Sequence, residues 1–185
     1  MTPAERRLEE LAVTHGRVVL AYLTRRTTPA EDAADVYQEV LTTTWRKIHT
    51  VPDDPDHALA WLLAVARGAL ANHRRSRSRR LAATDRLAAE LAVGVPLAEP
   101  AGSDGVREAL AALGDDDREI LALTYWEGLT SDQVATVLGI GAGAARKRLQ
   151  RARDRLGAVM AGSGDLAPAQ PAGGARPAAS LRSHA

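Results

Sequence analysis

Apolar residues recur at three- and four-residue intervals along most of the chain, the period of one helix face, and no sustained two-residue alternation of β-branched residues competes with it. Leu8, Leu11, Val19 and Leu23 fall on one side of a helix predicted from Pro3 to about Arg26. Val36, Val40, Thr44 and Ile48 form a second stripe, with Tyr37, Leu41 and Trp45 beside it, on a helix expected from Pro29 to about Ile48. Pro52 and Pro55 then forbid continuation. Leu62, Val65, Ala69 and Leu70 mark a third helix, beginning near Asp56. The starts are readable too. Thr2-Pro3-x-Glu5 and Thr28-Pro29-x-Glu31 each place an N-cap hydroxyl, a proline in the first turn and a capping-box glutamate, and Thr130-x-x-Gln133 repeats the box without the proline.

These patterns divide the chain. Residues 1–80 read as one helical domain, and 81–105 as a linker whose "GVPLAEPAGSDG" is turn-forming by composition. Residues 106–160 read as a second domain of four helices. Its last part is a helix-turn-helix: a helix ending at Gly139, a turn through Ile140 and Gly141, then a basic helix. Residues 161–185 are rich in Ala, Pro, Gly and Ser, with little to bury, and are expected to be disordered. The fold class is all-α, with two small domains.

Composition narrows the chemistry. With no Phe, three Trp and three Tyr, packing rests on Leu, Ala and Val. The absence of Cys excludes disulfides, thiolate zinc sites and thiol redox sensing. No apolar run approaches the roughly 20 residues of a membrane span, and "MTPAERRLEE" lacks a signal-peptide apolar segment, so a cytoplasmic protein without membrane insertion is expected. No phosphate-binding loop, nucleophile elbow or zinc motif is present, and His15, His49, His57, His73 and His184 lack ligand or catalytic spacing. An enzyme reading has no support, and no cofactor is expected.

Charge changes the picture. The formal net charge is only +1, yet Arg67, Arg74, Arg75, Arg77, Arg79 and Arg80 cluster without an acid, and a second basic cluster spans Arg146 to Arg155. Acids gather elsewhere, in "TPAEDAADVYQE" and "GDDDRE". Two basic faces on a neutral body suggest two contacts with a polyanion. On the last helix, at 100° per residue, Ala145, Leu149, Ala152 and Leu156 form a buried seam. Lys147, Gln150 and Asp154 lie opposite, flanked by Arg146 and Arg151, while Gly141 to Ala144 leave the helix start without bulk. That is the form of a recognition helix, in which Arg, Lys and Gln address base edges and other arginines, here Arg148 and Arg153, neutralise phosphates.

With these residues in view, "DAADVYQEVLTTTWRKI" followed by "AWLLAVARGALANHRRSRSRR" resembles region two of bacterial RNA polymerase sigma factors. "REILALTYWEGLTSDQVATVLGIGAGAARKRLQRARDRL" resembles their region four. Two regions in this order, covering roughly residues 5–160, match the layout of the extracytoplasmic-function (ECF) group. The resemblance implies that Asp35, Gln38 and Glu39 dock on the beta-prime clamp coiled coil of core polymerase, with the beta flap as the partner of region four. It implies that the loop with His49, Thr50, Val51, Asp53 and His57 captures a flipped base of the −10 element, and that Asn72, Arg74 and Arg75 follow the adjacent DNA. It places −35 contacts on Arg146, Lys147, Gln150 and Arg151, the face already selected by the wheel, and implies an anti-sigma factor as a further partner. For Trp61, core packing is the expected role. Gly141-Ala-Gly-Ala-Ala departs from the commoner Ser/Pro-Val-Gly-Thr-Val, removing a hydroxyl at Ala144. If extended, residues 81–105 reach at most about 80 Å, enough for the roughly 70 Å of two duplex turns.

Two other readings use the same features. One is a stand-alone helix-turn-helix regulator with a helical interaction domain; the other is a helical adaptor whose basic segments only solubilise it.

Overall fold

The computed structural model describes residues 1–84 and 104–163. Seven α-helices occupy them: α1 Pro3–Thr24, α2 Asp32–Arg46, α3 Pro55–Thr84, α4 Asp104–Ala111, α5 Asp115–Tyr125, α6 Ser131–Leu138 and α7 Ala142–Ser163. A short 3₁₀ turn at Ile48–Thr50 follows α2, and no strand occurs among the described residues. α3 thus runs past residue 80, and α4 begins before residue 106. The turn-forming stretch 94–103 and the tail from 164 onward lie outside the described residues.

The first unit is a bundle of α1, α2 and α3. Leu11, Val19, Tyr22 and Leu23 of α1 meet Val36, Val40 and Thr44 of α2 and Leu62, Leu63, Ala66 and Leu70 of α3 in its core. Thr44 is buried without penalty because its hydroxyl donates to the carbonyl of Val40, one turn back. The Thr2 box forms as expected: Glu5 N–H donates to Thr2 Oγ1 at 3.2 Å, and Thr2 N–H to Glu5 Oε2 at 2.8 Å.

The second expected box does not form. Helix α2 begins at Asp32, not at Pro29, and its N-cap Glu31 makes no side-chain capping bond. Residues after α1 instead fold into turns whose carbonyls are taken by α3: Arg74 donates to Arg26 O at 2.9 Å, and Arg77 donates to Thr28 O. Tertiary hydrogen bonds outbid the local cap.

α1 and α2 approach closely at Gly16. A Cβ built there would lie 2.4 Å from Tyr37 Oη but 3.5 Å from Cζ, so only the phenol oxygen stands in the way. Gly16→Ala is therefore expected to destabilise the protein by about 1–3 kcal/mol, as overpacking does. Tyr37→Phe should restore most of that loss. A chemical denaturation series on the four proteins checks it; equal costs of Gly16→Ala in both backgrounds would refute the clash.

The second unit is α4 to α7, four helices as expected. Arg118 satisfies the end of α4 by donating to the carbonyls of Leu110, Ala111 and Leu113 at 3.0, 3.2 and 2.7 Å. Three acids, Asp115, Asp116 and Asp117, occupy the first turn of α5, where they favour the positive end of the helix dipole. Thr130 and Gln133 form the reciprocal box that starts α6, and Gly139 ends it at φ 66°, a left-handed value that glycine adopts without steric cost.

The units touch. α6 packs on α3, and Gln133 Nε2 donates to Asp56 O at 3.2 Å. A polar cluster joins the end of α1 to α5 and the turn after it. Tyr22 Oη donates to Glu119 Oε1 (3.0 Å), Arg26 Nε to Glu119 Oε2 (3.1 Å), and Arg25 Nη2 reaches both oxygens of Glu127 at 2.7 Å. The Arg26 guanidinium lies 3.8 Å above the Tyr22 ring. Burial, and then the Glu119 charge, raise the Tyr22 phenol well above its ordinary pKa, so it stays a donor.

Candidate nucleic-acid interface

Helix α7 presents the expected division into a buried seam and an exposed face. Ala145, Leu149 and Ala152 of α7 are buried and Leu156 is partly buried, facing α5 and α6. Arg146, Lys147, Gln150 and Arg151 are all exposed. Their present partners are weak or local. Arg146 lies 3.5 Å from Asp132, both well exposed; Gln150 Nε2 donates to Asp154 at 2.9 Å; Arg151 Nε donates to Lys147 O at 3.4 Å. Surface pairs of this kind contribute at most about 1 kcal/mol.

Arg148 and Arg153, the expected phosphate contacts, stand differently. Arg148 lies 3.7 Å from Asp116. Arg153 donates to Tyr125 Oη at 2.8 Å, with its guanidinium 5.5 Å from the ring centroid. Arg155 pairs with the buried Asp117. Asp116 and Asp117 of "GDDDRE" therefore offset Arg148 and Arg155 on the flank toward α5.

In the first unit, the loop before α3 is held from both sides. Arg7 Nη2 donates to Pro52 O at 2.9 Å and lies 3.9 Å from Asp53. Asp54 caps α3, accepting from His57 N at 2.9 Å, with His57 Nδ1 at 2.6 Å from the same oxygen. The backbone donation from His57, and then its ring, hold the Asp54 carboxyl below the usual range. His49, Thr50, Asp53 and His57 are exposed, whereas Val51 is only 8% exposed and anchors the loop in the core. Trp61 is half-buried against the core, as expected.

Farther along α3, Asn72, Arg74 and Arg75 are exposed; Arg75 donates to Asn72 Oδ1, and Arg74 is engaged with Arg26 O. Sequence reasoning missed one neighbouring group: Asp32 accepts from Arg77 Nη1 and lies against His73 Nε2, both at 3.1 Å, clamping α3 to the start of α2. Asp35, Gln38 and Glu39 form a continuous exposed strip of α2, back to back with the buried Val36 and Val40. Among the described residues no group of three or more His, Asp or Glu side chains is arranged for a metal, and no helix is long and apolar enough to cross a membrane.

A helix-turn-helix with a basic outer face is thus joined to a second helical unit with its own basic helix and an acidic strip. Two family descriptions match: "Sigma-70 region 2" over residues 11–80 and "Sigma-70, region 4" over residues 103–156. The ECF RNA polymerase sigma factor SigL of Mycobacterium tuberculosis is 33% identical over 141 residues, which is 75% of this chain and 80% of the relative. The sigma factor CnrH of Cupriavidus metallidurans is 30% identical over 171 residues, 84% of this chain and 87% of the relative. The solved structure of CnrH in complex with the cytosolic domain of CnrY superposes with a TM-score of 0.55 at 28% identity, covering 85% of this chain and 90% of that one. RpoE of Bartonella quintana, in complex with the anti-sigma factor NepR, shares the fold at 22% identity with a TM-score of 0.59, covering 83% of this chain and 95% of that one. The chain belongs to the ECF RNA polymerase sigma factors. The stand-alone regulator is not favoured, because region two accompanies region four.

Proposed function

We propose that this sigma factor acts without catalysis of its own, in the cytoplasm, as the promoter-reading subunit of RNA polymerase. The observation that carries this is the pairing of an exposed acidic strip on α2 with two basic helical surfaces, one in each unit. Asp35, Gln38 and Glu39 supply acceptors for a basic surface of core polymerase, the beta-prime clamp coiled coil, while the second unit engages the beta flap. Arg146, Lys147, Gln150 and Arg151 read the −35 element in the major groove. Of these, Arg and Lys suit guanine O6 and N7, and Gln suits adenine. Arg148 and Arg153 reach phosphates, Arg148 once its partner on α5 is exchanged.

His49, Thr50, Asp53 and His57 face the −10 base, with Val51 holding their loop to the core. Asn72, Arg74 and Arg75 follow the neighbouring backbone. An unstacked base costs a few kcal/mol, and a loop held by Arg7 at Pro52 and by Asp54 at the start of α3 meets it with little further ordering. An anti-sigma protein is the expected regulatory partner, in keeping with the complexes named for its structural relatives.

Run-off transcription with purified protein, core polymerase and fragmented genomic DNA tests the reading. Promoter-dependent transcripts are expected, and their absence from every fragment would sink it. Asp35→Asn with Glu39→Gln should weaken capture of core at least about tenfold, the scale of lost charge-assisted hydrogen bonds. Unchanged affinity in a fluorescence titration would remove these residues from the docking surface.

A further inference from the structure

The cations of α7 differ in what holds them. Arg146, Arg148 and Arg155 face carboxylates, those of Asp132, Asp116 and Asp117. Arg153 has no carboxylate partner among the described residues. Its Nε donates instead to the hydroxyl of Tyr125, the last residue of α5, at 2.8 Å, with the guanidinium 5.5 Å from the ring centroid. Both side chains are exposed, Tyr125 at 60%. A carboxylate would fix the arginine and offset its charge together. A phenol fixes it and leaves the charge whole.

The bond also leaves most of the fork open. Arginine has five N–H donors, and only the one on Nε is spent on Tyr125. The donors on Nη1 and Nη2 remain for a bidentate phosphate. Arg153 lies two turns after Arg146, about 20° around the helix and about 10 Å along it. It therefore continues the exposed flank on which Arg146 stands.

We infer that Tyr125 is a positioning residue for DNA binding: it holds Arg153 ordered yet uncompensated, so that a promoter phosphate meets a fork already in place. The inference rests on the role of Arg153 as a phosphate contact proposed above. An arginine has many rotamers to lose on binding, and a contact that orders it beforehand removes part of that cost. The expected gain is about two- to tenfold in affinity. It is a gain in order and not in charge.

Salt dependence separates order from charge. Holoenzyme assembled from core polymerase and the full-length protein is titrated against a labelled promoter duplex recovered by run-off transcription, over a range of salt concentrations. Arg153→Ala should weaken binding and reduce the slope of log affinity against log salt by about 1, because one fewer phosphate is neutralised. Tyr125→Phe keeps the ring and removes only the hydroxyl. It should weaken binding about two- to tenfold at every salt concentration, with the slope and the melting transition of the free protein unchanged. In the Arg153→Ala background, Tyr125→Phe should cost nothing further. Arg153→Lys keeps the charge but not the planar fork, so it should lose affinity and keep the slope.

Full affinity in Tyr125→Phe, or an equal loss with and without Arg153, overturns the positioning role. If Arg153→Ala binds as the unaltered protein does, Arg153 is no phosphate contact and the inference falls with it, while the reading face of α7 stands. Absence of transcript from every fragment sinks the promoter-reading role first, and the positioning role with it.

Discussion

Reversing charge at Arg146 and Arg151 together is expected to lower −35-dependent transcription by about a hundredfold or more while leaving core binding intact. Each lost contact to a base edge removes about 1–3 kcal/mol, and the new carboxylates would face phosphates. Both side chains are exposed on the outer face of α7, and their partners in the free protein are a solvent-exposed Asp132 and a backbone carbonyl of their own helix. Folding should therefore be nearly unaffected, within about 0.5 kcal/mol, as for surface substitutions generally. Run-off transcription, a core-binding titration and a thermal melt on the Arg146→Glu, Arg151→Glu protein decide it. Parallel loss of core binding and melting temperature would mean that the helix is structural and that its charge has no reading role.

Leu149→Ala should produce the opposite profile. Leu149 is 6% exposed in the seam, between the smaller Ala145 and Ala152 on the same helix face. A leucine removed from such a site costs about 2–5 kcal/mol, and the melting transition of a unit this small should fall by roughly 10 °C or more. Promoter recognition would weaken only as the helix loosens. Leu149→Met, which conserves volume, should cost less than about 1.5 kcal/mol and keep activity. If Leu149→Ala melted like the unaltered protein, α7 would not be packed through this seam.

The buried seam and the exposed basic face of α7 were legible in the sequence because both depend on a single helix, whose period assigns each residue a direction. The capping boxes at Thr2 and Thr130 were legible for the same reason, since their partners lie three residues away. Thr28 failed the same test. It carries the same cap, proline and glutamate, but its carbonyl is claimed by Arg77, 49 residues distant. No local pattern reports such a bond. The acidic strip Asp35, Gln38 and Glu39 shows as polar positions on an amphipathic helix; its role as a docking face came from resemblance alone. Val51 reads as loop from its prolines, but its burial depends on where the loop folds back. The Arg25, Arg26, Glu119 and Glu127 cluster was invisible, because its partners are separated by 93 to 102 residues.

The pairing of Arg148 and Arg155 with acids of α5 also bears on how the protein would first meet a polyanion. Of the cations on α7, Arg148 and Arg155 face acids of α5, Arg146 faces Asp132, and Arg153 meets the Tyr125 hydroxyl. A duplex approaching the α5 flank would meet Arg148 and Arg155 already facing acids, while one approaching the outer face of α7 would meet the exposed Lys147 and Arg151. At low ionic strength the field of such cations selects orientation before contact is made, raising the productive fraction of encounters without raising net charge. If α7 reads DNA as proposed, a chain of formal charge +1 needs no net positive charge to approach it with this face forward.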